Sequence, residues 1–85
     1  MNNYHLTHKD EQWRLFKEKQ SDSPIGTFKT KDEAMKFAID YMNKTYTDAR
    51  FKQDGSAGSL KIHGVDGKIQ EERTYPRAAD PKGNG

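Results

Sequence analysis

Two short alternating runs joined by an Asp-Gly pair decide the fold of this chain: Leu60-Lys61-Ile62-His63-Gly64-Val65-Asp66-Gly67-Lys68-Ile69-Gln70. An Asp-Gly pair flanked by alternating apolar residues is a strong short-range signal for a β-hairpin. With a two-residue turn, Val65 faces Lys68, Gly64 faces Ile69 and Ile62 faces Glu71. This register predicts a buried side with Leu60, Ile62 and Ile69 and a wet side with Lys61, His63, Lys68 and Gln70.

Composition indicates one small domain with a thin core. The 85 residues include no cysteine, and 15 basic side chains nearly balance 13 acidic ones. The absence of cysteine excludes disulfides and thiolate chemistry. No apolar stretch has the length of a membrane span or a signal peptide, so we expect a cytoplasmic protein with no membrane partner. A net charge of +2 does not by itself demand a nucleic acid.

Upstream of the hairpin, alternation predicts two more paired strands. Tyr4 to His8 forms the first, the polar cluster 9–12 makes a four-residue loop, and Trp13 to Glu18 forms the second. This pairing puts Leu6 opposite Leu15 and His8 opposite Trp13. Tyr4, Leu6, Trp13 and Leu15 then face the core, and His5, Thr7, Arg14 and Phe16 face outward. A polar turn leads to a short third strand, Ile25 to Lys29.

A helix follows the third strand. Thr30 is the expected N-cap, and Glu33 three positions later completes a capping box. At 100° per residue, the polar residues from Asp32 to Lys44 gather on one side and the apolar residues from Ala34 to Met42 on the other. Two faces so clearly divided are typical of a helix that lies on a sheet.

The predicted fold is therefore α+β: an antiparallel sheet of order β-β-β-α-β-β with one amphipathic helix packed on one face. The domain spans residues 1–75, with a long mobile loop at about 45–59, in which Tyr46 to Phe51 either extends the helix or is irregular. Residues 76–85 are expected to be a disordered tail. The predicted core is Tyr4, Leu6, Trp13, Leu15, Phe28, Ala34, Phe37, Ala38, Tyr41, Leu60, Ile62 and Ile69.

Several segments together resemble a small family of uncharacterised bacterial proteins, a domain of unknown function. They are Tyr4-His5, Trp13, Thr30-Lys31-Asp32-Glu33-Ala34, Ile62 to Ile69 and Thr74-Tyr75. They match the family's Tyr-His, Trp, Thr-Lys-x-Glu-Ala, Ile-His-Gly-x-Asp-Gly-x-Ile and Thr-Tyr segments, and the stretch Thr45 to Ser59 is longer than the family's link. The resemblance implies a shared fold and brings no activity with it.

Catalytic and metal chemistry find little support in the sequence. His5 and His8 lie three apart on a strand, so they point to opposite faces and cannot chelate one ion together. The serines fall in loop-like stretches, and Glu71 and Glu72 diverge as strand neighbours. We expect no catalytic residue, no metal and no cofactor, and thus a protein that is not an enzyme.

The predicted function is that of a small binding module that uses the outer sheet face. Its candidate residues mix cations with an exposed aromatic ring, as sheets that bind nucleic acid do: His5, Arg14, Phe16, Lys61, His63 and Lys68. Glu18 and Glu72 fall on the same face and weaken its positive field. The alternative is a protein–protein interaction or homodimerisation module, because Phe16 and Val65 are apolar on the wet side.

Overall fold

The computed structural model describes residues 2–77. Its elements, in chain order, are β1 (Asn2–Lys9), β2 (Gln12–Lys17), β3 (Gly26–Phe28), α1 (Lys31–Thr45), α2 (Asp48–Asp54), β4 (Gly58–His63) and β5 (Ile69–Tyr75). The α+β class is confirmed. Of the predicted disordered tail, Pro76 is buried and Arg77 is half-buried, and residues 78–85 lie outside the described part of the chain.

The sheet is mixed, so the prediction of a purely antiparallel sheet was wrong. Its five strands have the order β3-β2-β1-β4-β5, and the two central strands, β1 and β4, are parallel. The two helices carry the chain from the C-terminal end of β3 back to the end of the sheet at which β3 and β1 begin. β4 therefore runs in the same direction as β3 and β1. Parallel neighbours need such a crossover.

The segment 45–59 contains a second helix, where the sequence predicted a loop. Tyr46 is the C-cap of α1, and Thr47 caps α2 by accepting the Arg50 amide proton at 3.2 Å. Tyr46 is 5% exposed because its ring packs on the inner side of the sheet. β4 begins directly below it at Gly58, where a Cβ atom would stand 2.5 Å from the Tyr46 ring. A glycine is therefore required at this close approach.

The hairpin between β1 and β2 confirms the predicted pairing, with Leu6 opposite Leu15 and His8 opposite Trp13. The loop is shorter than predicted, because Lys9 and Gln12 also pair. Asp10 and Glu11 alone make the turn, at φ of 54° and 63°. Positive φ at both positions is what a type I′ turn requires, and such turns match the twist of the paired strands.

The second hairpin departs from the predicted register at one end. Its loop has three residues, since Gly64 donates to Lys68 O at 2.8 Å and Gly67 donates to Gly64 O at 3.0 Å. Ile69 therefore faces His63, and a bulge at residue 70 restores the predicted pair of Ile62 with Glu71. Because one extra residue reverses the side to which a strand residue points, Ile69 is 53% exposed and does not join the core as predicted.

α1 covers the inner face of the sheet, which we define by Tyr4, Leu6, Trp13, Leu15, Leu60 and Ile62. Thr30 caps the helix as predicted, accepting the Glu33 amide proton at 3.2 Å. Ala34, Ala38 and Met42 form the buried stripe. Phe37, predicted in the core, is 40% exposed and lies against the ring of Phe28. Members of the core that the prediction lacked are Met42, Tyr46, Ala57 and Tyr75.

Candidate functional site

The opposite side of the sheet carries five of the six predicted binding residues. We define this outer face by His5, Arg14, Phe16, Lys61 and His63, which alternate with the buried residues of β1, β2 and β4. The sixth, Lys68, lies exposed where the second hairpin turns. Gln70, also expected there, instead accepts a hydrogen bond from Lys31 Nζ at 3.0 Å, because the bulge turns it toward α1.

A chain of hydrogen bonds crosses the outer face through its two histidines. His5 Nδ1 lies 3.0 Å from His63 Nε2, across the parallel seam between β1 and β4. On the far side of each ring, His5 Nε2 lies 3.2 Å from Glu18 Oε1 and His63 Nδ1 lies 2.9 Å from Gly67 O. The chain therefore joins the end of β2 to the turn of the second hairpin.

Glu18 is the acidic end of this chain. Its hydrogen bond from His5, and then one from Asn3 at 3.2 Å, hold the pKa of the Glu18 carboxyl below its usual range. The fixed donors favour the charged form of a carboxyl that is otherwise open to water. Sequence alternation had placed Glu18 on this face, but nothing in the pattern showed that it would contact His5.

Lys61 is held in a polar cluster of its own beside the histidines. Its Nζ lies 3.0 Å from Asn3 Oδ1, 3.4 Å from Ser59 Oγ and 3.3 Å from Glu72 Oε2. Ser59 Oγ in turn donates to Glu72 Oε2 at 2.8 Å. With one carboxylate beside one half-buried ammonium, the positive charge of Lys61 is matched locally. Lys61 therefore adds less to the field of the outer face than the sequence suggested.

The open part of the outer face lies toward β2. A cleft of about 370 Å³ is lined by Thr7, Lys9, Arg14, Phe16, Ser21 and Asp22. The Phe16 ring stacks on His5, with 5.6 Å between centroids and 23° between planes. The ion pair of Arg14 with Asp10 is a distant one, at 3.9 Å. Ser21 and Asp22 come from the turn after β2, and no sequence signal connected that turn to the sheet face.

The third histidine is separate from this site. His8 lies on the inner side, where its ring centroid is 4.9 Å from that of Trp13. Over residues 2–77, no set of three or more histidine, cysteine, aspartate or glutamate side chains is placed to hold a metal ion. Within that same range, neither helix is both long enough and apolar enough to cross a membrane.

Comparison with known proteins assigns the chain to a family but supplies no further relatives. No curated protein and no solved structure matches it. A family model matches residues 4–75, which include both helices, strands β2 to β5 and all of β1 except its first two residues. The resemblance to a family of uncharacterised bacterial proteins is thereby confirmed. The chain belongs to DUF2188, a family of uncharacterised proteins conserved in bacteria.

Proposed function

We propose that this chain is a small binding module that takes single-stranded nucleic acid on its outer sheet face. The observation that supports the proposal is the cleft beside Phe16, which joins an aromatic ring to the Arg14 guanidinium within about 370 Å³. Bases stack on such rings whatever their sequence, while cations neutralise the phosphates. A space of this size suits about one nucleotide, with its base against Phe16 and its phosphate toward Arg14 and Lys9.

The charges around the cleft favour this end of the outer face over its centre. Arg14 and Lys9 face the single carboxylate of Asp22 among the lining residues. At the centre, Lys61 is matched by Glu72, and Glu18 places a carboxylate beside His5. An anionic strand would therefore meet its most favourable field at the cleft, and the rest of the face would guide it there only weakly.

Fluorescence polarisation with labelled oligo-dT and oligo-U tests the proposal. At about 50 mM salt we expect saturable binding that weakens by about 200 mM, since phosphate contacts release counterions. Phe16→Ala should weaken binding about 5-fold to 100-fold, the range of one lost base stack. Arg14→Gln should weaken binding and also reduce the slope of affinity against salt by about 0.7.

Matched variants on the helices serve as controls. Phe51→Ala removes an exposed aromatic ring from α2, and Lys36→Gln removes a cation from the exposed side of α1. Both should leave the affinity unchanged, and the fluorescence of buried Trp13 reports whether each variant is folded. If the wild-type chain binds neither oligonucleotide at low salt, the proposal is wrong.

The alternative, a protein-contact module, is favoured by a different place on the molecule. Phe16 is half-buried against His5, so the apolar groups most open to water near this face are Val65, 71% exposed, and Ile69, 53% exposed. Both lie at the tip of the second hairpin. If they mediate self-association, sedimentation will show a mass that rises with concentration, and Val65→Lys will abolish that rise. A strict monomer at millimolar concentration contradicts homodimerisation.

A further inference from the structure

The hydrogen bonds of the two outer histidines fix how many protons their rings carry together. Gly67 O and ionised Glu18 can only accept, so His63 Nδ1 must donate to the first and His5 Nε2 to the second. Between the rings, one of the two facing nitrogens must donate to the other at 3.0 Å. Three bonds need three ring protons, whereas two neutral imidazoles carry one each. We infer that His5 and His63 form a single proton-binding site that holds one extra proton between them.

The position of that proton can change without breaking the chain. If His5 is the imidazolium, its Nδ1 donates to His63 Nε2; if His63 is the imidazolium, the same bond is made in the opposite direction. A second extra proton would set two N–H groups against each other, and loss of the first would leave one of the three contacts without a donor. The state with one extra proton is therefore the only one that satisfies all three contacts.

The charges around the pair agree with this count. Charged groups beside it are Glu18 at the end of β2, Lys61 on β4 and Glu72 on β5, and in the turn next to His63 the opposite charges of Asp66 and Lys68 cancel. Phe16 stacks on His5 from β2, and Ile69 lies opposite His63 on β5. The two carboxylates and the ammonium sum to one negative charge, which one extra proton on the histidines neutralises. The His5 side chain is only 16% exposed, so an uncompensated charge there would be unfavourable.

The proton site also regulates the proposed binding face, and this step alone rests on the proposed function. A second extra proton makes the centre of the face positive and separates His5 from His63, while loss of the first makes it negative. Affinity for an anionic strand should therefore increase as the pH falls and decrease as the pH rises. The proton count itself needs no ligand, so it can be tested even if no oligonucleotide binds.

Long-range ¹H–¹⁵N spectra of the ¹⁵N-labelled full chain test the proton count directly. We expect a pH interval in which His63 Nδ1 and His5 Nε2 are both protonated and the two facing nitrogens share one proton. The signals of His5 and His63 should change together in two steps, because the two rings share one proton across their hydrogen bond. If the two histidines pass from four ring protons to two in a single step, the inference is wrong.

A matched pair of glutamate variants tests the role of the carboxylate. Glu18→Gln keeps an oxygen acceptor but removes its charge, so the extra proton should leave at a lower pH than in the wild type. Glu71→Gln is the control, because Glu71 pairs with Arg73 on β5 away from the histidines. If Glu18→Gln and the wild type release the extra proton at the same pH, the Glu18 carboxylate does not stabilise that proton on the histidines.

Discussion

The hydroxyl oxygens of Tyr4 and Tyr46 lie 2.7 Å apart inside the protein. Tyr4 belongs to the central strand β1, and Tyr46 ends α1, so this bond joins the sheet to the point where the helical segment bends. Their rings meet edge to face at 5.9 Å. One hydroxyl donates and the other accepts, in a place that little water reaches.

Removing both of these hydroxyls should destabilise the fold by less than the sum of the two single removals. Tyr46→Phe leaves the Tyr4 hydroxyl buried without this partner, at a cost of about 1–2 kcal/mol in the free energy of unfolding. Tyr4→Phe combined with Tyr46→Phe should cost less than the sum of the single variants. Urea unfolding followed by Trp13 fluorescence measures all three, and additive effects would contradict a shared bond.

The same tyrosine pair predicts a loss of stability in alkali. Burial, then the bond to Tyr46, raises the pKa of Tyr4 to about 12 from its ordinary value of 10.0. The unfolded chain therefore releases this proton first, so the stability is complete below about pH 10 and falls as the pH rises toward 12. Tyr4→Phe should show a shallower decline over this range, measured by urea unfolding at each pH. An equal slope in wild type and variant would rule out Tyr4 as the cause.

Two isoleucines of the second hairpin should respond very differently to truncation. Ile62 is 1% exposed and Ile69 is 53% exposed, although alternation from a two-residue turn placed both in the core. Ile62→Ala should cost about 2–5 kcal/mol, and Ile69→Ala less than about 1 kcal/mol. Thermal or urea unfolding of the two variants decides the register. Comparable losses would mean that Ile69 packs in the core after all.

The alternation of residues predicted which side chains of β1 and β2 face the core, because the two strands pair regularly from the turn onward. It failed at Ile69 because an Asp-Gly pair fits either a two-residue loop or the end of a three-residue loop, and the two differ by one residue in register. Gly67, at φ 87°, fits both loops, and the hydrogen bond from the Gly64 amide to Lys68 O, which forms only in the folded chain, distinguishes them.

Long-range contacts account for the remaining differences. The contact of Tyr46 with Gly58 depends on where the chain returns to the sheet, and neither residue stands out in its local pattern. The parallel pairing of β1 with β4 likewise depends on the crossover. At the candidate site, alternation predicted that His5 and His63 share a face, but their direct contact requires β1 and β4 to be neighbours.

Gly58 should not accept a side chain. A Cβ atom there would stand 2.5 Å from Tyr46 Cε2 and 2.9 Å from Met42 Cε, closer than packed atoms allow. Gly58→Ala should therefore cost about 1–3 kcal/mol in the free energy of unfolding. In a Tyr46→Leu background the same substitution should cost less, because the ring is gone. An equal cost in both backgrounds would assign the effect to the backbone and not to the clash.

Replacing Lys61 on the outer face should affect the stability of the fold more than the affinity for an oligonucleotide. Its ammonium is 3.3 Å from Glu72 and 3.0 Å from Asn3, and its side chain is only 20% exposed. Lys61→Met leaves these acceptors without their shared donor, so we expect a loss of about 1–2 kcal/mol in the free energy of unfolding. Because Glu72 already matches the charge, oligonucleotide affinity should fall less than in Arg14→Gln, as fluorescence polarisation will measure. If Lys61→Met abolishes binding while its urea midpoint stays unchanged, the ligand contacts the centre of the face and not the cleft beside Phe16.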